Sequence, residues 1–170
     1  AGAFAAEGPL GCEDLFAGQA EAPERPGIVG EVKCEDGPET VAAAAAAGTK
    51  RLREGGDHRC IVSSFNRDVL GDLRPQLPSI PMALIAEVLP DDGVAFCQQH
   101  GLEGIHLSGE QITQASARTV LDARLALRCY PINDLAEAER LVALGVSMIM
   151  TDFPERLFAC HLPPSPVRCP

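Results

Sequence analysis

The feature that most constrains the fold is a regular alternation of short apolar runs with segments of helical character. Six runs of four to six residues have the length of buried strands: Ile28–Lys33, Cys60–Ser64, Met82–Ala86, Gly104–Leu107, Leu125–Tyr130 and Ser147–Met150. This alternation predicts parallel βαβ units covered by helices. Doubly wound sheets and β/α barrels both satisfy it, and the periodicity does not separate them. No Gly-x-Gly-x-x-Gly follows a strand, which disfavours a dinucleotide-binding fold.

Five segments between these runs are predicted to be helical, at 40–54, 66–73, 91–100, 108–126 and 133–144. In the last of them Asn133 is the predicted N-terminal cap and Gly145 the stop. The spacing of apolar residues predicts the inner faces of the last two helices: Ile112, Ala115, Thr119 and Ala123 in one, and Leu135, Ala138, Leu141 and Val142 in the other.

Composition excludes several classes of function. With 46% hydrophobic residues, the 170-residue chain is expected to form one globular domain with a core. A net charge of −10 disfavours nucleic acid as a partner, and no apolar run approaches the ~20 residues of a membrane span. The seven cysteines include no Cys-x-x-Cys pair, and Cys60, Cys97 and Cys129, which lie in apolar segments, are interpreted as small buried side chains in a reducing compartment; this predicts a cytoplasmic location.

Candidate functional residues are those that close the predicted strands, because reactive side chains of parallel α/β folds project from the carboxyl ends of strands. Glu31 and Lys33 are two positions apart and therefore lie on the same face of a strand. Either both charges contact a ligand, or the strand is an edge strand and both charges are solvated. Phe65 either lines a site or covers a helix, and His106 is either a ligand or a packed, hydrogen-bonded side chain. Tyr130 is equally ambiguous, and Glu87 is interpreted as a solvated loop charge.

Taken in order, five fragments resemble the glycerophosphodiester phosphodiesterases, more narrowly the bacterial cytosolic branch. The resemblance covers about residues 10 to 158 and rests on these runs: Gly-Ile-Val-Gly-Glu31-Val-Lys33, Ile-Val-Ser-Ser64-Phe65-Asn, Gly-Ile-His106-Leu, Tyr130-Pro-Ile-Asn133 and Gly145-Val-Ser-Met-Ile-Met-Thr151-Asp152-Phe-Pro154. It implies a β/α barrel of the triosephosphate isomerase type and a divalent metal, Mg²⁺ or Ca²⁺. It also implies hydrolysis of a glycerophosphodiester to glycerol 3-phosphate and an alcohol, in lipid head-group metabolism.

The same resemblance implies roles for individual residues. Glu31 matches a carboxylate ligand of the metal, and Lys33 matches the lysine that stabilises phosphate charge. Phe65, His106 and Tyr130 would bind substrate around the same mouth, and Asp152 would order the rim after the last strand. The expected fold class is therefore α/β, an incomplete TIM-type barrel of about six βα units that correspond to the third through eighth strands.

The chain departs from the family pattern ahead of Glu31, where the family has a His-Arg-Gly strand, a Glu-x-Asp strand and a second His followed by Asp. His58-Arg59 is out of order and is not a substitute. These motifs carry the general acid, the general base and two metal ligands. We therefore expect this chain alone to bind metal poorly and to be inactive.

The expected organisation is a loop-like lead-in over 1–27 with room for a short helix, a partial phosphodiesterase barrel over 28–158 and a Pro-rich tail over 159–170. The unpaired edges of a partial barrel predict poor solubility or self-association. Two alternatives stay open: a non-catalytic module of the same fold that binds glycerol phosphate, and a related barrel phosphodiesterase of the phospholipase type.

Overall fold

The computed structural model describes residues 28–33, 42–43, 45–47, 49, 60–157 and 160. The predicted lead-in, almost all of the predicted tail and His58 lie outside the described residues.

The described residues form one parallel sheet of six strands in the order β1-β2-β3-β4-β5-β6. All five neighbouring pairs are parallel, as the alternation predicts. Each predicted run contains one strand, and the bounds differ by two residues or fewer at each end. The strands are β1 Ile28–Glu31, β2 Cys60–Ser64, β3 Met82–Ala86, β4 Gly104–Ser108, β5 Ala126–Tyr130 and β6 Met148–Ile149.

Helices connect the strands. The fully described ones are α1 Arg67–Gln76, α2 Gly93–Gln99, α3 Gln114–Asp122 and α4 Leu135–Ala143, with 3₁₀ turns at Gly109–Gln111 and Pro154–Arg156. Residues 42–43, 45–47 and 49 between β1 and β2 are also helical. Of the helices in the described part of the chain, none is long and apolar enough to cross a membrane.

Helix α1 begins where a side chain can cap it. The Asn66 Oδ1 atom accepts hydrogen bonds from the backbone amides of Asp68 and Val69 at 2.9 and 3.1 Å. These bonds satisfy two amide groups that have no partner inside the helix. Leu70 and Leu73 then fall on the buried side of the helix, as their spacing requires.

The prediction for the third fully described helix was wrong in extent and in face. Ser108 ends β4 and Ala126 begins β5, so the helix between them covers only Gln114–Asp122. Thr113 caps it in a reciprocal pair of hydrogen bonds with Ser116. This start places Ala117 and Val120 on the buried face and leaves Ala115 and Thr119 exposed.

The predicted cap of α4 was wrong by one residue. Asp134 is the cap, and its carboxylate accepts a 3.0 Å hydrogen bond from the amide of Glu137. Asn133 instead bonds to the segment after β6. The predicted inner face is confirmed at Ala138 and Leu141, which are fully buried.

The two faces of the sheet have different partners. One face carries the helices, and alternate strand residues such as Val62, Leu84 and Leu127 join one hydrophobic core with them. The intervening residues Ile61 and Ile85 are buried but lie outside that core, on the opposite face. This opposite face is concave, because the sheet curls into part of a barrel, as expected for an incomplete TIM-type fold.

Candidate active site

Five side chains lie at the carboxyl ends of β1, β2, β3 and β5, on the positions that face the concavity. They form what we call the rim: Glu31, Lys33, Phe65, Glu87 and Tyr130. Alternation along each strand produces this set, since Val32 and Ala86 pack against the core on the other face. The rim is the position at which parallel α/β barrels place their active sites.

Two buried serines attach the end of β1 to the end of β2. The Val32 amide donates a 2.7 Å hydrogen bond to the Ser63 carbonyl, and the Ser64 hydroxyl donates to the Val32 carbonyl at 2.6 Å. Ser64 also accepts from the Asn66 amide at 3.1 Å, which links this junction to the start of α1. The backbone that carries Glu31 and Lys33 is thereby held, while both side chains are exposed.

Phe65 and Tyr130 meet across the concavity. Their ring centroids lie 6.1 Å apart with the ring planes at 88°, an edge-to-face contact. They follow β2 and close β5, which are three strand spacings apart, about 14 Å in a flat sheet. The contact between the two rings therefore shows that the sheet is strongly curved. Both residues were predicted from the sequence to line a substrate site, and the structure brings them together.

The Tyr130 hydroxyl extends over β4 toward the end of β3. It donates a 3.2 Å hydrogen bond to the Ala86 carbonyl. Burial, with the negative charges of Glu87 and Glu31, raises the pKa of Tyr130 to about 12. Glu87 follows Ala86 and is exposed, as a charge after a strand and before Pro90 predicts, and its charge also acts on Tyr130.

A hydrogen-bonded network fixes the rim between β5 and β6. The Asn133 amide oxygen accepts from the Thr151 hydroxyl at 2.9 Å and from the Asp152 amide at 3.0 Å. The Asn133 amide nitrogen donates to the Asp152 carboxylate at 3.0 Å. Asn133 and Asp152 thus join the two loops, which is the ordering role expected of Asp152.

A second polar group lies below the rim, nearer the amino ends of the strands. We call Glu103, His106 and Arg128 the lower cluster. Arg128 donates to the Glu103 carboxylate at 2.5 Å, and both side chains are almost fully buried. Its other terminal nitrogen lies 3.3 Å from His106 Nε2. His106 is 1% exposed, so it occupies the interior of the barrel rather than its mouth.

Burial and the neighbouring Arg128 both favour the neutral form of His106. A guanidinium only donates hydrogen bonds, so Nε2 of the imidazole must accept and the proton of the neutral ring lies on Nδ1. Burial, with the positive charge of Arg128, lowers the pKa of His106 to about 3. The Nδ1 atom is buried and has no hydrogen-bond partner among the described residues. These observations favour a packed side chain over a general acid or base.

The glycerophosphoryl diester phosphodiesterase family model matches residues 22–156, which is most of the chain and includes the whole rim. The chain belongs to this family. No curated protein shows significant sequence similarity to it.

Solved structures of the same family share the fold. One is an Oleispira antarctica phosphodiesterase in complex with the product sn-glycerol-3-phosphate, at 20% identity and a TM-score of 0.69 over 79% of this chain and 54% of that one. Another is a glycerophosphodiester phosphodiesterase from Parabacteroides distasonis, at 20% identity and a TM-score of 0.65 over 77% of this chain and 55% of that one. The chain thus spans about half the length of these relatives.

The divalent metal expected of the family does not fit the described residues alone. In that part of the chain, no three His, Cys, Asp or Glu side chains come together as a metal site. Glu31 is an exposed carboxylate suited to a hard cation, but a single ligand does not make a site. The histidines within the same part are His106, in the interior, and His100, whose ring packs 4.4 Å from that of Phe96.

Proposed function

We propose that the rim is the substrate-binding part of a glycerophosphodiester phosphodiesterase, which releases glycerol 3-phosphate and an alcohol from a small phosphodiester. The observation that carries the proposal is the family match over the segment that contains all the rim residues. The product-bound Oleispira antarctica relative supports a glycerol phosphate ligand.

Lys33 is proposed to stabilise the phosphate. Its ammonium is exposed at the concave end of β1, and the Ser63 and Ser64 bonds hold the backbone beneath it. A fixed cation beside a phosphoryl group lowers the energy of the charge that develops when the ester bond breaks. Phe65 and Tyr130 are proposed to form the apolar wall of the same site. The substrate contact predicted for His106 stays a prediction, and its burial supports the packing alternative.

Glu31 is proposed as one carboxylate ligand of Mg²⁺ or Ca²⁺, which would supply positive charge to the phosphate when bound. Because the described residues offer no complete ligand set, we expect this chain alone to bind the metal poorly. We also expect it to be inactive alone, since no histidine stands at the described rim to transfer a proton.

The test measures binding and turnover separately. Calorimetry is expected to detect glycerol 3-phosphate binding to the 170-residue chain, with about tenfold weaker affinity for Lys33→Met because a charged contact is lost. Arg118, whose side chain is 80% exposed on α3, provides the matched Arg118→Met control. Absence of binding would overturn the proposal. Glycerophosphocholine and Mg²⁺ are expected to yield no glycerol 3-phosphate, and release that Glu31→Ala abolishes would contradict the expected inactivity.

A non-catalytic module that binds glycerol phosphate is the second candidate function. The absence of a histidine and of a three-ligand metal cluster at the described rim favours it. It differs from the first in one outcome: the complete protein binds glycerol 3-phosphate but does not hydrolyse glycerophosphocholine with metal present.

Location and self-association belong to the same proposal. A cytoplasmic location is supported by the buried thiols of Cys97 and Cys129, whose pKa values burial raises to about 12, so that they are unreactive at neutral pH. Within the described residues β1 pairs only with β2, and β6 only with β5. Open edges favour pairing between chains, so light scattering is expected to show a mass that grows with concentration.

A further inference from the structure

We propose that Ser108 is a positioning residue of the rim: its small side chain leaves open the space through which Tyr130 crosses strand β4. Ser108 is not among the five rim residues, and the proposed function gives it no role. The inference rests on the proposed function only for its effect on ligand binding, because Tyr130 forms part of the proposed apolar wall.

Ser108 ends β4 on the concave side of the sheet. Ile105 and Leu107 belong to the hydrophobic core on the helical face, so alternation places His106 and Ser108 on the concave face. Ser108 is also the residue of β4 that pairs with Tyr130 in the parallel register. Neighbouring strands lie about 5 Å apart, so these two residues stand side by side at the mouth.

The Tyr130 side chain crosses β4 instead of standing upright on its own strand. Its hydroxyl donates to the Ala86 carbonyl at the end of β3, and its ring meets Phe65 after β2. Strand β4 lies between β3 and β5, so the phenol passes over the carboxyl end of β4, where Ser108 is its paired residue. A long or branched side chain at this position would occupy the space that the ring needs.

The lower cluster uses the same arrangement deeper in the barrel. Arg128, two residues before Tyr130 on β5, also extends over β4, where it reaches Glu103 and His106. A Cβ atom at Gly104 would lie only 3.0 Å from the Arg128 Nη1 atom, so the missing side chain makes room for the guanidinium. In both places a small residue of β4 accommodates a long side chain from β5.

The backbone around Ser108 is held from several sides. The Ser108 amide donates a hydrogen bond to the Glu87 carbonyl at 3.2 Å. The turn that follows is bound from α4, where Arg140 donates to the Gly109 carbonyl at 3.2 Å. A Cβ atom at Gly109 would overlap the Ile132 side chain, so this turn is tightly packed as well. A larger side chain at position 108 therefore competes with the Tyr130 ring, because its backbone has little room to retreat.

The size of Ser108, and not its hydroxyl, carries this role. The side chain makes no capping hydrogen bond to the 3₁₀ turn that it precedes. Alanine at this position would keep the path of Tyr130 open, whereas leucine would close it. A displaced Tyr130 loses its bond to Ala86 and its contact with Phe65, so the wall would have to be ordered again when a ligand binds, which lowers affinity.

Near-ultraviolet circular dichroism of the 170-residue chain measures the packing of Tyr130, because the chain has one tyrosine and no tryptophan. Ser108→Ala is expected to keep the tyrosine band of the unaltered chain, and Ser108→Leu is expected to lose most of it. Ser79→Leu alters an exposed serine ahead of β3 and is the matched control, with the band unchanged. A full tyrosine band in folded Ser108→Leu would overturn the inference.

A double-variant cycle separates a contact with Tyr130 from a general loss of stability. Ser108→Leu is expected to lower the urea midpoint of the unaltered chain, and to lower that of Tyr130→Ala much less, since the volume of the ring is then free. Equal decreases in the two backgrounds would contradict the proposal. If Ser108→Leu does not fold, folding of the double variant supports the inference, and failure of both chains to fold counts against it.

Calorimetry with glycerol 3-phosphate then tests the link to the proposed function. Ser108→Leu is expected to bind about fivefold more weakly than Ser108→Ala. Loss of the tyrosine band with equal affinities supports the positioning role and removes Tyr130 from the proposed site. Tyrosine bands as expected, in chains that do not bind glycerol 3-phosphate at all, support the positioning role and overturn the phosphodiesterase proposal.

Discussion

The lower cluster and the rim lie on the same concave face, on strands with the same alternation, yet their charged groups are in opposite situations. In the lower cluster Arg128 and Glu103 are almost fully buried and bonded to each other. At the rim Glu31 and Lys33 are exposed, and neither has a charged partner within the described residues. A buried charge must be paired by the protein itself, whereas an exposed charge at a strand end is available to a ligand.

This difference predicts that the lower cluster governs stability and the rim governs binding. The first three predictions below concern the lower cluster and its strand, and the fourth concerns the rim.

The largest effect is expected from breaking the buried ion pair. Arg128→Met leaves the Glu103 carboxylate buried without its partner, which should lower the free energy of unfolding by about 3–5 kcal/mol. Urea denaturation measures this value. The double variant Arg128→Met with Glu103→Leu removes both charges and is expected to recover most of the loss. If Arg128→Met lowers the free energy of unfolding by less than about 1 kcal/mol, this pair contributes no more than an ordinary surface salt bridge.

The second effect is a dependence of stability on pH that originates at His106. Its pKa is lowered from 6.5 to about 3 in the folded chain. Between these values the unfolded imidazole binds a proton and the folded one does not, so the free energy of unfolding rises with pH. Acidification from pH 6.5 to 4.5 should therefore cost about 2–3 kcal/mol through this group.

The matched variant for this pH effect is His106→Gln, whose amide can still accept from Arg128 but does not titrate. Urea denaturation at pH 6.5 and 4.5 measures the free energy of unfolding of both chains. The loss on acidification should be smaller in His106→Gln than in the unaltered chain, by the amount that His106 contributes. Identical pH slopes for the two chains would show that His106 is not held neutral.

The third effect tests how tightly the concave face closes near the lower cluster. A Cβ atom at Gly104 would lie 2.6 Å from the Ala126 carbonyl oxygen, a backbone atom that cannot move aside. Gly104→Ala is therefore expected to cost about 1–3 kcal/mol of unfolding free energy. At Gly30 the nearest atom among the described residues is 4.0 Å from such a Cβ, and Gly30→Ala should change the free energy of unfolding by no more than about 0.5 kcal/mol. Equal costs at the two positions would argue against a tight β4–β5 approach.

The smallest change in stability is expected at the rim. Lys33→Met and Glu31→Gln alter exposed side chains, so the free energy of unfolding should change by less than about 0.5 kcal/mol. Thermal and urea unfolding measure this change on the same samples used for glycerol 3-phosphate binding. A loss of 2 kcal/mol or more would indicate that these charges serve the fold, and the contrast between the rim and the lower cluster would fail.

Much of the fold was predictable because strand residues leave local signals. Runs such as Cys60–Ser64 and Met82–Ala86 match their strands at both ends. Helix faces were less predictable: the 3₁₀ turn Gly109–Gln111 and the Thr113 cap shift the start of α3. When the start of a helix shifts by a few residues, a different set of side chains faces the core. The spacing of apolar residues alone does not reveal where the helix starts.

At the site, the sequence indicated the rim residues that lie inside recognisable runs, namely Glu31, Lys33, Phe65 and Tyr130. Glu87 was also a candidate because it closes a predicted strand, and its context before Pro90 predicted the exposed charge that the structure shows. For His106 the sequence leaves both alternatives open, and its burial beside Arg128, 22 residues away, favours the packing alternative.

The sequence by itself determined the parallel α/β architecture, the family and the candidates for the five rim residues. These follow from periodicities and motifs that neighbouring residues carry. Only the tertiary structure decided that Phe65 meets Tyr130, that the Tyr130 hydroxyl reaches the Ala86 carbonyl, and that His106 is buried beside Arg128. The physical reason is that sheet curvature brings together side chains from strands that are not adjacent, and it sets which charges are taken out of water.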